Sequence, residues 1–273
     1  LSVNNEENKK NRKEDTNILH VANNFLTNVG RAVLETRKYG ENIALFSEKI
    51  DGGFKKIIDS LNKFNDFIKK QLPEYISFYT NQGWVIPLDF DVVKTMSFAK
   101  SMVESRKSSK EIELVTNQYF LDNIKKKQRI QIINKIMDND LLGERKHILA
   151  ELKRAIENDM YHSVVLLLIT TIEGVIIDNS KTGEWIKQDK LIEFVDKGAE
   201  NNMLLKLSVV PVFTEIYFQN FTPGKDNLIP NDICRHAIVH GVDEEYGNEV
   251  TFLKLLLILD LLLHIINEIK MEE

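Results

Sequence analysis

Two stretches limit what this chain can fold into. "YHSVVLLLITTIEGVIID" (161–178) and "VTFLKLLLILDLLLHIINEIK" (250–270) are apolar on nearly every side. A helix without a polar face needs cover all round, from protein or from lipid. The polar second half of the first stretch, and Lys254 and Asp260 in the second, count against a membrane span. Both are therefore expected as central helices, buried in a core or between two chains. No segment alternates with period two, and only 12 Gly and 5 Pro punctuate 273 residues. The expectation is an all-α fold.

Around these two stretches the helical pattern recurs. Residues 1–16 read as a polar disordered tail and 17–143 as an amphipathic helical region. In that region Ile43, Phe46, Ile50, Phe54, Ile57, Leu61, Phe64 and Ile68 form one apolar stripe, with Pro73 marking its end or a break. "NQGWVIPLDFD" (81–91) is the clearest loop. Helices are expected over 88–106 and 111–139, with a turn at "RKSSK" (106–110). Residues 144–273 read as a second helical unit, with helices at 144–158, 161–178, 189–199, 203–220 and 250–270 and a loop at 221–227. "KKKQR" (125–129) is either a solvated helix face or a phosphate-contacting patch.

Charge and cysteine content narrow the function. The single cysteine excludes an internal disulfide framework and a cysteine zinc cluster. No signal peptide is read in the polar first 17 residues, so a cytoplasmic location is expected. The net charge of −5 divides unevenly: residues 1–144 carry 23 Lys+Arg against 20 Asp+Glu, and residues 145–273 carry 13 against 21. The acidic second half disfavours broad, non-specific nucleic-acid binding. A nucleic-acid partner would need a local basic cleft.

One such concentration stands out. "CRHAIVHG" (234–241) places Arg235, His236 and His240 within six positions, in a chain with six histidines. Asn231 as N-cap and Gly241 as stop would frame a helix of about ten residues. Arg235 would then sit in the fourth helical position, near a helix N-terminus that favours a phosphate. Arginine adds a forked, permanently charged donor, and histidine suits proton transfer near neutrality. At about 100° per residue, Arg235 and His240 do not stack on one face. An anion-binding arginine and a titratable histidine suffice in principle for metal-free RNA cleavage by the adjacent 2′-hydroxyl. His236 and His240, four apart, are also spaced to share a metal, but the glutamate of H-E-x-x-H is absent, Ala237 taking its place, and no third ligand is evident. Glu173, inside an apolar helix, needs a partner, and Arg235 is the candidate. Cys234 reads as a small buried filler. Tyr246 is expected either over the site or bonded within its own loop.

The arrangement of Arg235-His236, two apolar residues (Ile238, Val239), His240-Gly241, a Tyr246-Gly247 loop and a leucine-rich helix, downstream of "TTIEGVIID", resembles the HEPN superfamily (higher eukaryote and prokaryote nucleotide-binding domains). The resemblance covers roughly 144–273 and implies a HEPN-like helical bundle. It further implies a metal-independent endoribonuclease whose Arg and His meet across a homodimer interface. Arg235 would bind or polarise the RNA phosphate, His240 would be the acid–base group, His236 would fill the polar position after the arginine, and Glu173 would hold Arg235. No cofactor or metal is implied. The resemblance extends to toxins and abortive-infection effectors of phage defence, and leaves any antitoxin partner unidentified. Val242 stands where toxins silenced by a nucleotidyltransferase often carry tyrosine, so that form of control is not expected. The alternative is a non-catalytic helical module for nucleotide or RNA binding, or for dimerisation.

Overall fold

The computed structural model describes residues 70–179, 203–219 and 233–272. The tail 1–16, the stripe Ile43–Ile68, the helix expected over 189–199, the loop 221–227 and Asn231 lie outside them. The described residues are helical with no strand, and the fold is all-α.

The helices are α1 Leu72–Thr80, α2 Val92–Val103, α3 Ser109–Asn123, α4 Lys126–Met137, α5 Lys146–Glu157, α6 Tyr161–Asn179, α7 Met203–Pro211, α8 Arg235–Val239 and α9 Glu249–Glu272. A 3₁₀ turn, Asp140–Arg145, precedes α5, and a π-helical turn, Val212–Tyr217, extends α7. Local chemistry sets several boundaries. Pro73 lies in the first turn of α1, where its missing N–H costs nothing. Asp91 caps α2 by accepting from the Lys94 N–H. Ser108 and Glu111 form a reciprocal capping box on α3. The single helix expected over 111–139 is two, broken at Ile124–Lys125, because the Gln128 side chain accepts from the Lys125 N–H at 2.7 Å and starts a new helix there.

The core is built around α9. From Phe252 to Leu259 every side chain is buried, and Leu261 to Leu263, Ile265 and Ile266 continue the sheath. Its most extensive packing is on α6, and α4, α7 and α3 cover other sides. α9 thus becomes the interior, as its lack of a polar face demands, while α6 buries one side against it and leaves His162, Ser163, Leu166 and Thr170 exposed. By length and composition α6 could also cross a membrane, but half of its apolar window is buried in this fold. The core cluster runs continuously from Leu72 to Ile266, with contributions from both sides of Gly143.

Charges enter this core only with cover. Lys254 is buried, with its Nζ 5.2 Å from the centre of the Trp84 ring. Asp260 meets Lys135 at 2.9 Å. The "KKKQR" run divides by environment: Lys125 pairs with Asp122 at 2.7 Å, whereas Arg129 is buried, donating to the Ile124 carbonyl at 2.7 Å and pairing with Glu249 at the start of α9. Arg129 therefore ties α4 to α9 and is turned away from any surface phosphate. The loop 81–91 is also more internal than its composition suggests. Trp84, Val85 and Ile86 are buried, the Trp84 ring stacks on Phe120 at 4.0 Å, and the Ile86 N–H donates to Ser208 Oγ at 2.7 Å. Side chains here satisfy backbone groups that water would otherwise serve.

Leu256 has no exposed surface and sits mid-way along α9. Leu256→Ala should destabilise the chain by about 2–5 kcal/mol, through lost burial plus the cavity left behind. Denaturant unfolding checks this. A cost under about 1 kcal/mol would mean that α9 is not the centre of the fold.

Candidate functional site

The motif segment folds into a much shorter helix than the sequence suggests. α8 has five residues, with Cys234 at the N-cap making no side-chain capping bond. Arg235 is therefore the first helical residue and not the fourth. So short a helix carries little dipole, which removes the expected anion site at its N-terminus. Its C-terminus follows the expected stop. Gly241 adopts φ +68°, a left-handed conformation open to glycine. The Val242 N–H donates to the Ala237 carbonyl at 2.8 Å and the Gly241 N–H to the Ile238 carbonyl at 3.1 Å, a Schellman closure. Ala237, Ile238 and Cys234 face the core, and the Cys234 thiol donates to the Gln219 carbonyl at 3.6 Å. With these inner residues anchored, Val239 and His240 remain exposed.

Arg235 reaches sideways to α6. Its Nη1 donates to Glu173 Oε2 at 3.1 Å and lies 3.0 Å from Oε1. Both side chains are mostly buried, at 24% and 15% exposure. The Oε1 approach is an ion-pair contact without hydrogen-bond alignment, so Oε1 has no hydrogen-bond partner among the described residues. The guanidinium carbon also stands 5.6 Å from the centre of the Phe218 ring. Burial raises the Glu173 pKa above its ordinary value, and the Arg235 charge and hydrogen bond partly restore it.

His236 follows Arg235 in the first turn of α8 and His240 is its C-cap, and their ring centres are 5.0 Å apart. Burial holds the His236 pKa below its ordinary value, and the neighbouring Arg235 and His240 charges push the same way. Among the described residues no hydrogen bond or ion pair joins Arg235 to either histidine. No group of three or more His, Cys, Asp or Glu there is placed to hold a metal. A single chain thus presents a guanidinium braced on a carboxylate, and an imidazole pair of which His236 is half-buried and His240 exposed.

Three supporting residues escaped the sequence reading. Tyr217 ends the π turn and Phe218 caps it, where no helical periodicity marks them, and Tyr217 packs edge-on to Phe218 at 4.8 Å. Arg145 lies across Gly174 and pairs with Asp178. A Cβ at Gly174 would overlap that guanidinium, so a larger residue there would require the Arg145 side chain to shift. Tyr246 packs edge-on against His162 at 5.0 Å and not over the motif histidines.

A separate cavity of about 650 Å³ lies between the 87–91 loop, the end of α3, α4 and α9. Its lysines are already matched, Lys94 to Asp91 and Lys135 to Asp260. No motif residue lines it.

No protein-family model matches this chain, and neither a curated protein nor a solved structure matches it. Motif and geometry alone carry the functional argument.

The raised Glu173 pKa has a defined sign. The folded chain holds a proton here at a higher pH than the unfolded chain does. This contribution to stability is fully present below the unfolded pKa and is lost as pH rises through the raised folded value. The stability of wild type minus that of Glu173→Gln should therefore decrease with pH across the carboxylate range. Denaturant melts in a pH series measure it, and a difference that climbs with pH would reverse the assignment.

Proposed function

We propose that this chain is a metal-independent endoribonuclease that works as a homodimer of HEPN type. The observation that carries the reading is the braced Arg235, held by Glu173 beside an exposed His240 on one short, core-anchored helix. Arg235 neutralises the RNA phosphate. A histidine, His240 of the same or the partner chain, takes the proton of the 2′-hydroxyl. The 2′-oxygen forms a bond to the adjacent phosphorus, and the bond from phosphorus to the 5′-oxygen breaks. That leaving oxygen is protonated, giving a 2′,3′-cyclic phosphate and a free 5′-hydroxyl. His236, held neutral by its surroundings, stays an uncharged polar neighbour.

Dimerisation supplies what one chain lacks. Among the described residues no hydrogen bond or ion pair joins Arg235 to His240 within one chain, and a two-fold axis would set Arg235 of each chain near His240 of the other. Exposed apolar residues are available for such a contact: Val239 and Val242 flank His240, and Leu166 is exposed on α6. The acidic 145–273 half would repel RNA, so pooling two arginines in one cleft also answers the charge problem. A role as a toxin or abortive-infection effector follows from the resemblance and belongs to this proposal.

One observation favours a second reading. Arg235 is turned onto Glu173, as a structural ion pair would be, and a non-catalytic RNA-binding or dimerisation module needs no more. Cleavage distinguishes the two.

His240→Ala should lower RNA cleavage in EDTA by on the order of 10²–10⁴ while leaving the fold intact. Near-wild-type cleavage by the folded variant removes His240 from the chemistry, and no cleavage by wild type selects the module. Mixing Arg235→Ala with His240→Ala subunits tests the composite site. If Arg and His come from opposite chains, half of the centres in a mixed dimer keep both residues, and activity returns to a mixture of two inactive parents. A mixture as inactive as its parents excludes the shared site.

A further inference from the structure

Among the described residues, five buried side-chain atoms have no hydrogen-bond partner, and three of them belong to Tyr217, Glu173 and Arg235: Oη, Oε1 and Nε respectively. Such atoms are rare in folded proteins, and their concentration in one place calls for a cause. Tyr217 has no exposed surface. Its ring packs on Phe213 at 5.5 Å and on Phe218 at 4.8 Å, and Phe218 is the ring beneath the Arg235 guanidinium. Burial raises the phenol pKa, the Glu173 charge raises it further, and the Arg235 charge opposes the rise. The tyrosine is thus one ring away from the Arg235–Glu173 pair, and burial keeps its hydroxyl protonated, as a donor. Phenylalanine would fill the same space without an idle hydroxyl, which is costly to bury unpaired.

We propose that Tyr217 is the reserve partner of Glu173, donating to the carboxylate when Arg235 leaves it for a phosphate. This rests on the reading of Arg235 as the phosphate-binding residue. A guanidinium held by a carboxylate must loosen that contact to grip an anion with its fork. Withdrawing it leaves a mostly buried carboxylate uncompensated, a strongly unfavourable state. A donor already waiting in the same patch lowers that cost and makes Arg235 available. Tyr217 touches neither RNA nor the reacting atoms, so it is a positioning residue.

A thermal-melt cycle on the full chain tests this without RNA. In wild type, where the hydroxyl is idle, Tyr217→Phe should leave Tm unchanged or slightly raised. Arg235→Met keeps the stem over Phe218 and removes the guanidinium for good. In that background Tyr217→Phe should lower Tm by about 2–4 °C, the shift expected for one lost hydrogen bond in a chain of this size. With Glu173→Leu added to Arg235→Met the loss should vanish, since no acceptor remains. If Arg235→Met does not fold, Arg235→Gln takes its place. An equal effect of Tyr217→Phe in wild type and in the arginine variant overturns the proposal. In cleavage assays, Tyr217→Phe should raise KM for single-stranded RNA about five-fold with kcat little changed, because phosphate capture becomes harder. A chain that shows the thermal coupling but never cleaves RNA keeps Tyr217 as the reserve donor and discards the ribonuclease reading.

Discussion

The need to sheathe α9 on every side governs the rest of this fold. A helix with apolar residues all round cannot lie on a surface, so α6, α4, α7 and α3 are recruited to cover it. The 81–91 loop is drawn inward for the same reason, delivering Trp84 to the buried ammonium of Lys254. Dense packing has a further effect. It fixes α6 and the inner face of α8, and so the distance across which Arg235 meets Glu173.

The motif helix is held by its inner side and its end. Cys234, Ala237 and Ile238 anchor it to the core, and the Gly241 closure turns the chain away immediately after His240. Five residues are enough because neither propensity nor dipole stabilises such a helix; tertiary contacts do. The arginine and the histidines consequently differ in freedom. Arg235 is braced between a carboxylate and an aromatic ring, while His240 stands in solvent at the C-cap.

Much of this was legible in the sequence wherever burial imposed a demand. The two all-round apolar stretches could only be central helices, and α6 and α9 fall within a residue or two of the expected limits. Glu173 needed a partner because an isolated carboxylate in an apolar helix is too costly, and the described contact is with Arg235. The rest depended on contacts that spacing does not encode. Arg129 looked like one more surface cation until Glu249, 120 residues away, drew it inward. The break at Lys125 is set by a Gln128 side-chain bond inside a continuous helical pattern. The long helix expected for the motif assumed that its start lay where a good capping residue stood, whereas α8 begins at Arg235 without a side-chain cap. Tyr217 and Phe218 lie at the end of a local change of helical register that hydrophobic periodicity cannot report.

That change of register has a geometric consequence. Pro211 offers no N–H, and the chain passes directly into a π turn in which the Phe218 N–H bonds back five residues to Phe213 at 3.0 Å. One extra residue is absorbed in that turn. Tyr217 and Phe218, at its end, are thereby turned by about 100° from where an uninterrupted α-helix would put them. α7, before the turn, packs on α1 and α9, and Phe218, at the end of the turn, lies beneath the Arg235 guanidinium. A single strand of sequence therefore serves two surfaces that no constant pitch could address at once. The length of that turn acts as the gear between the scaffold and the site.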